Sequence, residues 1–551
     1  MAETMNSIHD VSRKYEENIA VLKDQLGIGV SYDLALREFQ IGGKKAALIF
    51  VDGLINDIPI VEIMQNFACL SREEVVPDTL AKLVGRYVTY VKALPTDKLE
   101  DVTTKVLAGF IALSVDGMPE IILIEARKYP ARGPQEPDIE RVVRGSRDGF
   151  TETILFNTAL IRRRIRDPKL RTELLTAGTR SKTDICVAYI EDVANPELVK
   201  TIKDRIKDIA VDGLPMAEKS VEEFITTGNW NPLPQVRYTE RPDVAAVHLL
   251  EGHILVIVDT SPSVIIAPAT YFHHLQHAEE YRQNAMVGVY LRWVRFTGVF
   301  VSIFLLPLWY LFATQPQLLP ESLKFIGPSK VAKIPLIWQF LVAEIGLDLI
   351  RMSAIHTPTP LATALGLIAA FMLGEVAINV GLFVPEVIMY MAIAAIGIFA
   401  TPSYELGMVN RLFRLGLLII TGLLGLPGFM LGLLGIILLI AFTKPFGIPY
   451  MWPLIPFNGQ ALKAILVRSP VPVHNTRPSI LKPQDRSRQP GYSPARKPLG
   501  QDKGNQVDIK ADELAERGDV RAAKGDERVG KGYKKARSVA EGGGRRNKNR
   551  G

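Results

Sequence analysis

Cysteine is nearly absent from this chain: 551 residues hold two, Cys69 and Cys186. That excludes a disulfide-stapled secreted fold and fits a reducing compartment. The opening residues, "MAETMNSIHDVSRKYEENIA", lack the apolar core of a signal peptide, so the roughly 290 residues before the first long apolar run are expected in the cytosol. No G-x-x-x-x-G-K-[ST] loop, G-x-S-x-G elbow, H-E-x-x-H helix or cysteine pair at metal spacing occurs, so neither enzymatic chemistry nor a cofactor is expected. An intramembrane aspartyl protease would need paired membrane aspartates, and Asp348 stands alone. Charge is also scarce in one place: none separates Arg351 from Glu375, and the next after that is Glu386.

Against these absences stands a sharp partition. The long apolar runs lie between about Phe296 and Phe457, and the flanks are charged. From Arg468 onward 21 Lys/Arg face ten Asp/Glu, in a Pro- and Gly-rich tail of low hydrophobicity that reads as disordered. Without interleaved aromatics it does not read as a nucleic-acid module; weak attraction to anionic lipid is the better expectation.

The pattern divides the chain into a helical lead-in (1–40), a soluble α/β region (41–290), a helical membrane domain (291–458) and the basic tail (459–551). Within the soluble region, "KAALIFVDGLINDIPIVEIM" (45–64) and "TDICVAYIEDVANPELVKTI" (183–202) share one plan. An apolar strand is closed by an acid, Asp52 or Glu191, and a helix is opened by Asn56 or Asn195. Asn195 followed by Pro196 and Glu197 is a strong helix start. Two related lobes follow, with further strands expected at 109–117, 120–126, 245–259 and 263–268 in mixed sheets. Between the lobes, "RGSRDGFTETILFNTALIRRRIRDP" (144–168) forms a helix whose far end carries Arg162, Arg163, Arg164 and Arg166. These cations either complement the helix dipole at the surface or form a docking face for a subunit, an acidic partner or lipid.

Spans are expected near 298–314, 361–381 and 384–401. In 334–350, Glu344, Asp348 and Arg351 fall on one helix face, along the interface or a cavity. The run 415–442 carries Pro427 and Gly428 at its centre, which suggests a discontinuous or re-entrant helix. "VNRLFR" (409–414) and the tail are both expected on the cytoplasmic side. Glu375 is the chemical outlier, because an acid at bilayer depth costs roughly 2.5–3.5 kcal/mol and faces a protein interior or a water-filled path. His273, His274 and His277 have possible metal spacing at i and i+4, but they lie among polar residues without a cysteine, so no metal site is expected.

Long ordered motifs carry a resemblance: the arginine-helix segment above, "PLIWQFLVAEIGLDLIRMSAIHTPTPLATALGLI", "GEVAINVGLFVP", "PSYELGMVNRLFR" and "FGIPYMWPLIP". Together they resemble the A-subunit family of spore germination receptors, over roughly 45–458. The segment "ESLKFIGPSKVAKIPLIWQFL" and the long tail look like a sporulation-protein branch rather than a nutrient receptor. The resemblance implies a multi-pass protein of the inner spore membrane and a homo-oligomer working with other membrane proteins of the germination apparatus. It also implies a gated cation-conducting role, without nucleic acid; a non-conducting structural or docking role is the alternative. Relatives read Gly-Gln-Ala-Ala-Val-Glu-Ala-Gly-Leu where this chain reads "GEVAINVGL" from Gly374. The acid has moved one helical turn along one stripe, from the place of Asn379 to that of Glu375. This makes Glu375, Asn379, Glu344 and Asp348 the expected ion path.

Overall fold

Each apolar run closed by an acid becomes the second strand of a five-stranded sheet, and each asparagine caps the helix that follows. In the computed structural model the described residues are 10–76, 79–88, 92–129, 140, 142, 144–226, 230–329, 333–356, 376–468, 470 and 476–488. The first lobe contains α1 (Tyr15–Leu26), β1 (Leu34–Ile41), β2 (Lys44–Val51), α2 (Asp57–Ala68), β3 (Ala93–Thr96), α3 (Leu99–Val106), β4 (Ile111–Val115) and β5 (Ile121–Ile124). The second contains α4 (Ile154–Arg164), β6 (Leu170–Ala177), β7 (Thr183–Ile190), α5 (Pro196–Lys207), α6 (Ala217–Ile225), β8 (Arg237–Thr239), α7 (Pro242–Glu251), β9 (Ile254–Val258) and β10 (Val264–Ala267).

The strand orders are β1-β2-β4-β5-β3 and β6-β7-β9-β10-β8. These are one topology used twice. Every pairing is antiparallel, so the sheets are not mixed as expected. Successive strand residues face opposite sides, and both sides are covered. In lobe 1, Ala47 and Ile49 pack under α1 and α3, while Ala46 and Leu48 pack against α2. In lobe 2, Ile185 and Val187 meet α5 and α6, while Cys186 and Ala188 meet α4 and α7. Asn56 accepts a hydrogen bond from Ile58 N, and Asn195 one from Glu197 N.

Three expectations change here. Residues 34–41 are β1, an edge strand of the first sheet, rather than part of a helical lead-in. The segment 245–259 is half helix: α7 ends at Gly252 (φ 101°) before β9 begins. The tail is folded in part. Helix 459–466 is followed by Arg468, which is buried, and 476–488 lies along lobe 2, where Gln484 N donates to Val193 O (3.0 Å), Arg477 to Leu250 O (2.8 Å), and Leu481 is buried. The residues after 488 lie outside the described ones.

The helical region follows as α8 (Ala278–Arg282), α9 (Ala285–Thr314), α10 (Leu336–His356), α11 (Pro385–Phe399), α12 (Tyr404–Leu424), α13 (Leu426–Phe442) and α14 (Gly459–Leu466). By length and composition α9 and α12 are able to cross a membrane, and only 44% of the apolar window of α9 is buried within the chain. The rest of that window is exposed apolar surface, of the kind that marks a membrane or protein contact. The chain reverses between α12 and α13 at Gly425, whose φ 63° and ψ −137° suit glycine. Pro427 sits in the first turn of α13, and a Cβ on Gly428 would collide with Ile420 O of α12. The expected break is therefore a tight helical hairpin, hinged two residues before Pro427.

Candidate functional site

Helices α10 and α12 are apolar on most faces, yet they meet through charge. Glu344 of α10 is buried, and Arg414 of α12 holds it on both oxygens, Nε to Oε1 at 2.6 Å and Nη2 to Oε2 at 2.9 Å. The same guanidinium donates to Ser302 O of α9 (3.0 Å), so three helices share it. One turn earlier, Arg411 donates to Glu344 Oε2 (3.2 Å) and to Glu344 O (2.6 Å), and pairs with Asp348. Asp348 in turn accepts from Arg351 (2.7 Å). The network grades from the closed pair at Glu344 to the half-exposed Asp348, whose side chain is 41% accessible. Beside it on α12, Asn410 is wholly buried, with neither amide atom hydrogen-bonded.

The spacing of the charges explains the match. Glu344 and Asp348 are four apart on α10, Arg411 and Arg414 three apart on α12, so each pair presents one face. Three cations and two anions meet there, and arginines stand against both carboxylate oxygens of Glu344. Arg411 and Arg414 are thus buried in ion pairs, which removes them from the positive-inside argument that placed 409–414 on the cytoplasmic surface: paired interior charge does not report orientation.

The arginine helix α4 also turns inward. Arg162 is fully buried and grips Asp33 of lobe 1 through Nε–Oδ2 and Nη2–Oδ1, both 2.9 Å, while Thr172 donates to the same carboxylate (2.6 Å). Arg164 donates to Asp148 (2.7 Å) and Arg163 stacks over the Tyr129 ring. Only Arg163 and Arg166 are exposed. A docking face built from all four does not exist, because Arg162 clamps the two lobes together. A lone pair of charges removed from water needs such bidentate geometry.

The histidines of 273–277 separate. His273 packs edge-on against His253 and near His248, with ring centroids 4.9 and 6.2 Å away. His274 bonds Pro234 O, and His277 accepts from Glu279 N at the start of α8. Burial, with Arg237 nearby, pushes His248 down to about 3 and His273 to about 4. Burial also pushes His274 down to about 3 and His253 well below its ordinary value. Among the described residues no group of His, Cys, Asp or Glu is arranged to hold a metal.

Residues 20–480 match the family described as "Bacillus/Clostridium GerA spore germination protein". The chain belongs to this family. It is 49% identical over 483 residues to stage V sporulation protein AF of Bacillus subtilis (strain 168), covering 88% of this chain and 98% of that one. Spore germination protein KA of the same organism is 28% identical over 488 residues, 87% of this chain and 89% of that one. The crystal structure of the N-terminal domain of the A subunit of the Bacillus megaterium spore germinant receptor GerK3 is similar at 28% identity and TM-score 0.38, covering 48% of this chain and 97% of that chain.

In this GerA-family chain Glu375 lies outside the described residues. Asn379 is exposed at the end of a single helical turn, Ala377–Asn379, that gives way at Gly381. Glu386, in the first turn of α11, accepts from Ser329 Oγ (2.6 Å) and N (3.0 Å). The structure therefore joins Glu344 and Asp348, and the partners that sequence reasoning missed are Arg411 and Arg414. Their signal was present in "VNRLFR", as arginines three apart inside a helix able to span a membrane.

Proposed function

We propose that the chain is an oligomeric, gated cation-conducting subunit of the germination apparatus in the inner spore membrane. Family membership supports the role in germination. The observation that carries conduction is the charged network joining α10 to the membrane-capable helix α12: charged side chains in such helices face a protein interior or a water-filled path and mark ion paths and their gates. On this reading the Glu344–Arg411–Arg414 cluster holds α9, α10 and α12 in the closed arrangement. Glu375 supplies the negative charge of the path, multiplied by the oligomer as charged rings do in cation channels. The full pairing of Glu344 favours a second reading, a membrane-anchored docking component without its own conductance.

Passive cation flux from the purified full chain in liposomes separates the two. Glu375→Gln is expected to lower flux per reconstituted oligomer at least tenfold with assembly intact, and adding Asn379→Glu to restore part of it. Unchanged normalised flux in the single variant would remove Glu375 from the path, and no flux in the unaltered protein would favour docking.

A further inference from the structure

Where lobe 2 meets the first membrane-capable helix there is a cavity of about 340 Å³, within the size range of small-molecule sites. Three separate parts of the chain build it. Helix α7 gives Val244, Val247 and Glu251; α8 and the start of α9 give Tyr281 and Arg292; and the segment after the membrane helices returns to close it with Ala464, Arg468 and Arg488. Five arginines and two acids line it, the others being Arg237, Arg282 and Asp243.

Most of these charges are already matched. Arg237 pairs with Glu140, Arg282 with Asp243, Arg488 with Glu251 (3.4 Å), and Arg292 with Glu280 (2.8 Å). Arg468 differs. It is 8% exposed, its guanidinium donates to the backbone oxygens of Gln283 (2.6 Å) and Tyr281 (2.9 Å) and lies over the Tyr281 ring, and its Nε has no hydrogen-bond partner. Among the described residues no carboxylate pairs with it. A buried guanidinium without a counter-anion is an expensive arrangement that an incoming oxyanion relieves. Burial raises the Glu251 carboxyl to about 7, so near neutral pH it offsets less of the surplus. The walls supplied by Val244, Val247, Ala278 and Ala464 are apolar.

We propose that this cavity binds a small molecule carrying a carboxylate or phosphate group on an apolar body, with Arg468 as the anion's principal partner. Such a ligand touches lobe 2, α9 and the returning C-terminal segment together, so its occupancy ties the soluble part to the helix that enters the membrane. This goes beyond the conduction reading and is read out without flux. The oxyanion comes either from a free organic acid or from a phospholipid headgroup.

The test uses the full chain in phosphatidylcholine nanodiscs, titrated with phenyl phosphate, benzoate and inorganic phosphate, with unfolding temperature and direct binding as readouts. Phenyl phosphate or benzoate is expected to bind saturably and raise the unfolding temperature by several degrees. Arg468→Gln should weaken that binding at least tenfold. Val247→Trp, at a 43% exposed lining position, adds bulk to the apolar wall while leaving every arginine of the chain in place and should do the same, deciding the matter alone if Arg468→Gln fails to fold. A stabilisation seen only when phosphatidylglycerol is added, and lost in the variants, assigns the site to a lipid headgroup. Absence of saturable binding in both lipids, or equal binding by unaltered protein and the folded variants, overturns the proposal.

Discussion

The two lobes repeat one sheet in one strand order, yet they bury different things. No histidine occurs between Asp10 and Val247, whereas the second lobe and its link to α9 hold His248, His253, His273, His274 and His277. The helix α3 of lobe 1 packs on its sheet through Leu99, Val102 and Val106. Its counterpart α7 adds His248 and the cavity-lining Glu251 to the same task. The repeated architecture therefore accounts for stability in both, and polar interior chemistry gathers in the lobe that continues into the membrane-capable helices.

Acid should separate the lobes most. His248, His253, His273 and His274 stay neutral in the fold to far below 6.5, their ordinary value. Above pH 6.5 folded and unfolded states are equally neutral. Below it the unfolded chain takes protons that the fold refuses, so stability falls as pH drops toward about 4, by about 1.4 kcal/mol per pH unit for each histidine. Glu251 acts oppositely between its ordinary 4.5 and about 7, holding a proton in the fold, but it is one group against four. Hydrogen exchange at pH 7 and pH 5 should show lobe 2 losing on the order of 5 kcal/mol of protection while lobe 1 changes little; equal losses would break the contrast.

Next in size is the clamp between them. Arg162→Ala leaves Asp33 buried without its cation and should cost about 3–5 kcal/mol, measured by denaturant unfolding of the full chain. Replacing both partners by apolar residues of similar volume, as in Arg162→Met with Asp33→Leu, should recover most of that loss. The smallest effect tests sameness: Asn56→Ala and Asn195→Ala each remove a cap and should each cost about 1 kcal/mol. A cost confined to one lobe would mean that the matching caps do unequal work.

Much of this was legible where signals were local. The strand, acid and asparagine of 45–64 and 183–202 announce β2, α2, β7 and α5 because continuous apolar runs and caps sit within a few residues of each other. Strand β1, "LALREFQI", was not legible, since the adjacent Arg37 and Glu38 of this edge strand break the period-two alternation that marks a strand. Helix α7 was mistaken for strand because "AAVHLLE" is mostly apolar and runs on into the strand "ILVIV", and the punctuation at Pro242 and Gly252 was the better guide. The charged network was half visible. Glu344 and Asp348 stood out, but the partner Arg411 is 67 positions away from Glu344, and Asp33 is 129 away from Arg162. Pairings across such distances are set by tertiary packing, which no local window reports.

Helix α9 starts among polar groups and continues without interruption into the apolar region, from Ala285 to Thr314. Arg292, near its base, lines the cavity, and Pro307 lies some 22 Å further along at 1.5 Å per residue. Such a rod is a lever: pivoting it by about 5° at Arg292 sweeps Pro307 through about 2 Å, a displacement comparable to the interface helix shifts of switching proteins. If a ligand in the cavity tilts α9, the tilt would reach Ser302, which receives Arg414, through the rod itself and without a chain of intermediate contacts.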